Sequence, residues 1–71
     1  MSRPEKHSLT LAGHRTSVSL EPEFWAAFRD LAEKSGKGIN ALAAEVDVAR
    51  SPGTGLASAI RLHVLAACKN A

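Results

Sequence analysis

Between Arg15 and Leu20 the chain alternates without a break: Thr16, Val18 and Leu20 fall on one side, and Arg15, Ser17 and Ser19 on the other. That period of two marks a strand with one face toward a core and one toward water. No other stretch of the 71 residues alternates as cleanly, and a lone strand is not stable in water. The strand must therefore find a partner, and the best match is its own copy in a second chain. The sequence predicts a two-stranded antiparallel ribbon shared by a homodimer. Glu21-Pro22-Glu23 then ends the strand and starts a helix, because proline suits the first helical position and acidic side chains suit the positive end of the helix dipole.

The rest of the chain reads as helical. A first helix is expected over Pro22 to Lys34, with Phe24, Phe28, Leu31 and Ala32 as its buried stripe and Trp25 at the stripe's edge. Arg29 and Glu33 are spaced for an ion pair on its outer side. Ser35-Gly36-Lys37-Gly38 supplies a glycine for a left-handed cap. A second helix is expected from Ile39-Asn40 to about Ala49, on a stripe of Ile39, Leu42, Ala43 and Val46. Arg50-Ser51-Pro52-Gly53-Thr54-Gly55 breaks it. A third helix, from Leu56 to about Cys68, carries Leu56, Ile60, His63 and Val64 in one stripe, with Leu62 and Leu65 beside it. So apolar a helix is expected in the core of a dimer.

Ahead of the strand, residues 1 to 6 lack periodicity and are expected to form a disordered basic arm, leaving residues 7 to 71 as one domain. His7-Ser8-Leu9-Thr10-Leu11 alternates weakly, with its leucines at odd positions while the core face of the main strand is even. Two readings follow: a longer ribbon with a bulge at Ala12-Gly13, or a short separate strand that folds back.

Taken together, the strand, the proline-started helix, the glycine turn and the next helix resemble the ribbon-helix-helix family of DNA-binding proteins. Gly13-His14-Arg15-Thr16-Ser17-Val18-Ser19-Leu20-Glu21, Phe24-Trp25 and Leu56-Ala57-Ser58-Ala59-Ile60-Arg61-Leu62 are most similar to a small bacterial subfamily of it. The resemblance implies a mainly α fold with one short strand, assembled as an intertwined homodimer whose ribbon enters the DNA major groove. The third helix is an addition to the usual two, and either helix two or helix three can take the usual second-helix position.

Charge agrees with such a partner. Residues 1 to 20 carry Arg3, Lys6 and Arg15 against Glu5, whereas the remainder carries six basic and six acidic residues, so the whole excess of +2 lies in the arm and strand. By the resemblance, Arg15, Ser17 and Ser19 are the base-reading residues. Arg15 leads, since a bidentate contact to guanine discriminates by about 1–3 kcal/mol and serine discriminates weakly. The turn before the second helix, Lys37, Gly38, Ile39 and Asn40, is the expected phosphate clamp, with Lys6, Arg3 and His14 as further phosphate contacts. If helix three takes that position, the clamp moves to Thr54, Gly55 and Leu56. Val18, Leu20, Phe24, Trp25, Phe28, Ile60 and Val64 are expected at the dimer interface.

Catalysis is not expected: His7, His14 and His63 have no oriented carboxylate or nucleophile beside them in the sequence. His63 is expected as a hydrogen-bonded core or interface histidine. Cys68 is the only cysteine and no Cys/His spacing suggests a metal, so neither cofactor nor metal is expected. With no leader or bilayer-length apolar run, a cytoplasmic protein is expected. The leading function is a transcriptional repressor acting on double-stranded DNA. The alternative is a protein-interaction module on the same fold, an antitoxin or an adaptor, although the few residues after Cys68 leave little chain to wrap a toxin.

Overall fold

The computed structural model describes residues 3–70. It gives the alternating strand a partner, and the partner comes from the same chain. β1 (Glu5–Leu11) and β2 (His14–Leu20) form an antiparallel hairpin, followed by α1 (Pro22–Lys34), α2 (Ile39–Ala49) and α3 (Leu56–Lys69). Register runs from Glu5 opposite Leu20 to Leu11 opposite His14. Opposite residues in a sheet share a face, so the odd positions of β1 join the even positions of β2. The change of parity that suggested a bulge is what a two-residue turn at Ala12-Gly13 requires. Both turn residues have positive φ, 50° and 84°, as in the mirror-image turns that match strand twist. Of the two readings for residues 7 to 11, the short strand that folds back holds and the bulged ribbon does not, and the expectation of one strand per chain is corrected accordingly. β1 also begins at Glu5, so Glu5 and Lys6 belong to the hairpin and not to an arm; Met1 and Ser2 of the expected arm lie outside the described residues.

Leu9, Val18 and Leu20 on the hairpin's inner face meet Phe28 and Ala32 of α1, Leu42, Ala43 and Val46 of α2, and Ala59, Ile60 and Val64 of α3 in one core. Phe28, Leu9, Leu20 and Ile60 are the largest fully buried side chains, each worth about 1.5–3 kcal/mol of burial. The helices begin and end where their signals predict. α1 closes in a Schellman turn: the Lys37 N–H donates to Ala32 O at 2.9 Å and the Gly36 N–H to Glu33 O at 3.0 Å, with Gly36 at φ 70°. The ion pair on α1 is Asp30–Lys34, at 3.0 Å, in place of the expected Arg29–Glu33. Acid before base is the order that the helix dipole favours. Between α2 and α3, the Arg50 guanidinium donates to Asp47 Oδ1 (2.7 Å) and Thr54 O (2.6 Å), fixing the Ser-Pro-Gly loop.

Within the single chain α3 buries only one side of its apolar surface. Ala59, Ile60 and Val64 are buried, but Leu62 and Leu65 are 60% and 52% exposed, and His63 is exposed, edge-on to Phe28 at 6.2 Å between ring centres.

Candidate nucleic-acid interface

Since Leu9, Val18 and Leu20 hold one face of the hairpin to the core, the pleat turns Lys6, Ser8 and Thr10 of β1 and Arg15, Ser17 and Ser19 of β2 to the other. All six are exposed. Across the strands Lys6 faces Ser19, Ser8 faces Ser17 and Thr10 faces Arg15. The face thus holds two cations, four hydroxyls and none of the chain's seven carboxylates. Arginine, lysine and hydroxyl side chains are the groups that bond phosphate and base edges. The expected readers Arg15, Ser17 and Ser19 lie on one line of this face. Ser8 and Thr10, which sequence reasoning left out, complete it; the leucines between them were the available signal.

The edges of the hairpin differ. In an antiparallel pair closed by a two-residue turn, the residues flanking the turn are a bonded pair and bonding alternates from there. The backbone groups of Thr10, Ser8 and Lys6 therefore point off the β1 edge, and those of Arg15, Ser17 and Ser19 off the β2 edge. At the β1 edge, the Thr10 N–H donates to Asn40 Oδ1 at 3.0 Å, so the first turn of α2 abuts the hairpin. β2 has no strand on its far side among the described residues.

That first turn is the predicted phosphate clamp. Gly38 is the N-cap, without a side-chain cap, so the leading N–H groups of α2 lack a partner from their own helix. Gly38 has φ −71°, and a Cβ there would meet nothing within 4 Å. The fold does not demand glycine at this place; a close approach from outside would. Asn40 has its amide oxygen engaged by Thr10 and Ile39 is half-buried against the core, leaving its backbone N–H as its polar contribution. Lys37 is not free: it pairs with Glu45 at 2.6 Å, a surface pair of the kind worth about 0–1 kcal/mol and readily exchanged. Arg3 is exposed ahead of β1. His14 sits at the hairpin tip, where with Thr16 and Leu56 it lines a recess of about 350 Å³. Of the alternative clamp, the Thr54 carbonyl is occupied by Arg50 and Gly55 caps α3.

The residues expected at a dimer interface also serve the single chain's own packing. Val18, Leu20, Phe28, Ile60 and Val64 are buried within the single chain, covered in part by β1. Phe24 and Trp25 are half-buried. Trp25 stacks on His7 of its own chain, 3.9 Å between ring centres and 4° from parallel, an arrangement that leaves His7 Nε2 buried without a hydrogen-bond partner. Arg61 was also missed as more than a polar helix residue. Its guanidinium donates to both carboxylate oxygens of Glu21, at 2.9 and 3.0 Å, and lies 5.8 Å from the centre of the Phe24 ring. The Glu21 carboxyl is held below its ordinary value by a bond from its own backbone N–H and then by Arg61. Because Glu21 follows Leu20 directly, this fork fixes the exit of the hairpin against α3.

Among the described residues no cluster of His, Cys, Asp or Glu could hold a metal ion, and Cys68 is an exposed free thiol. No helix is long and apolar enough to cross a membrane.

A strand that leads through proline into α1, a glycine turn, and a second helix starting beside the hairpin are the elements of one known family, and the family model described as a ribbon-helix-helix domain matches residues 4–68. The chain belongs to the ribbon-helix-helix family. No curated protein and no solved structure matches it. Membership carries DNA-binding regulation or antitoxin-type action at the level of the family, and it spans both β1 and α3, so the added hairpin strand and third helix lie inside the matched region.

Proposed function

We propose that the protein is a sequence-specific DNA-binding repressor that acts as a homodimer and reads the major groove with the outer face of its hairpin. The carrying observation is that face: six exposed residues, cationic or hydroxylated, without a carboxylate, backed by a fully formed core. The unpaired edge of β2 supports the dimer. Antiparallel pairing about Ser17 sets Arg15 opposite Ser19 of the partner subunit and uses the outward backbone groups of Arg15, Ser17 and Ser19 together. It keeps those side chains on one face of a shared ribbon. Arg15 reads guanine, the serines adapt to neighbouring bases, and Lys37, Gly38, Ile39 and Asn40 take phosphate at the first turn of α2. Occupancy of an operator then excludes polymerase.

Selection from a randomised duplex library tests this reading. A palindromic motif bound about a thousandfold more tightly than bulk DNA is expected, and Arg15→Ala should erase the preference while leaving a folded dimer. Undiminished preference in that variant would remove Arg15 from base reading. Gly38→Asp sharpens the clamp assignment: as a better N-cap partner for α2 it should raise stability by a few tenths of a kcal/mol yet weaken DNA binding. One observation favours a second reading, a protein-interaction module: the exposed Leu62 and Leu65 on α3. Absence of duplex binding at low salt would turn the assignment that way.

A further inference from the structure

Four strands, and not two, face the DNA if β2 pairs with its copy, because each β2 already carries a β1. Strands lie about 4.8 Å apart, so the outer two of four are separated by roughly 14 Å. The major groove is only about 12 Å wide. The central β2 pair fits within it and the β1 strands do not. They are left above the walls of the groove, where the phosphates are. We infer that β1 is a phosphate-contacting rail, with Lys6, Ser8 and Thr10 bonding the backbone on either side of the groove that Arg15 reads.

Two features of the chain point the same way. First, Lys6, Ser8 and Thr10 offer one cation and two hydroxyls, groups that position a protein on phosphate, and their inward neighbours Glu5, His7, Leu9 and Leu11 take the opposite face. Second, the bond from the Thr10 N–H to Asn40 puts β1 between β2 and the first turn of α2. The phosphate-binding surface therefore runs continuously from the uncapped helix start across β1 to the edge of the reading strand.

The inference rests on the proposed DNA reading, and its test separates the two. Binding of the full chain to its selected duplex is followed by fluorescence anisotropy against salt. Lys6→Ala should lower the salt slope by about 1.8, one phosphate from each of two chains, with the base preference intact. Ser8→Glu should weaken binding on the order of tenfold by placing a carboxylate against phosphate. Unfolding curves and dimer mass establish that each variant is folded, and Ser8→Ala, which removes the hydroxyl without adding charge, serves if Ser8→Glu is not. An unchanged slope in Lys6→Ala, together with parental affinity in the Ser8 variant, overturns the rail while Arg15→Ala still loses its preference. A parent chain that binds no duplex overturns the DNA reading itself and the rail with it.

Discussion

The two faces of the hairpin are built from the same fourteen residues and differ in almost everything else. Leu9, Val18 and Leu20 are no more than 4% exposed and share one core with residues of all three helices, whereas Lys6, Ser8, Thr10, Arg15, Ser17 and Ser19 are all exposed. Strand geometry separates them: the side chains that pack, Leu9, Val18 and Leu20, all lie on one face, and none of the six on the other face is buried. On the proposed reading, stability and recognition fall to different side chains only one residue apart, so either can be altered without the other.

The widest separation should appear in Leu20→Ala, which removes a fully buried side chain. It is expected to cost about 2–5 kcal/mol of stability, read from urea unfolding, and to abolish binding only by unfolding the hairpin. Its neighbour on the other face, Arg15→Ala, should leave stability within about 0.5 kcal/mol while costing about 1–3 kcal/mol of discrimination at its base pair. A large stability loss in that variant would mean that the two faces are not independent. The turn joining the strands offers a smaller effect in the opposite direction. Ala12 holds a left-handed conformation at φ 50°, which L-residues other than glycine and asparagine adopt at a cost of about 1–2 kcal/mol. Ala12→Asn, giving the preferred Asn-Gly turn, should stabilise the fold by roughly 1 kcal/mol, seen as a raised Tm.

The last effect appears only in acid. Glu21 has its carboxyl pKa lowered in the folded state from an ordinary value of 4.5. Its stabilising contribution is therefore present above that value and lost as pH falls through the lowered one. The Tm advantage of the parent over Glu21→Gln should accordingly be constant near neutrality and shrink below pH 4.5. A gap that persists undiminished at low pH would show that it does not come from the charge of the Glu21 carboxylate in the fork to Arg61.

How much of this was legible in the sequence depended on local punctuation. Pro22, the Gly36 turn and Ser51-Pro52-Gly53 fix helix boundaries through backbone chemistry, and α1 and α2 span the expected residues. β1 was harder to read because its turn lacks the usual signal: Ala-Gly stands where Asn-Gly or Asp-Gly would announce a hairpin. Its odd-numbered leucines then looked out of phase with Val18 and Leu20, although strands opposed across an even-length turn must pair odd with even. Arg15, Ser17 and Ser19 were accessible because alternation alone places them together. Ser8 and Thr10 needed the register, and the fork from Arg61 to Glu21 joins positions forty apart in the chain, which no short-range pattern contains. Leu62 and Leu65 show the opposite limit: their apolar character predicts burial, and which side of α3 meets the core is settled by tertiary packing.

A ribbon built from neighbouring residues also changes the order of events as the chain folds. Strands joined by a two-residue turn meet by closing a very short loop, on a timescale of about 1–10 μs for hairpins, and the search involves one molecule. Where a ribbon is made only by two chains, folding waits on encounter and stability falls with dilution. Here β1 pairs along one edge of β2 and adds Leu9 to the core that the helices close, so the hairpin and its interior are assembled from one chain, whatever its concentration.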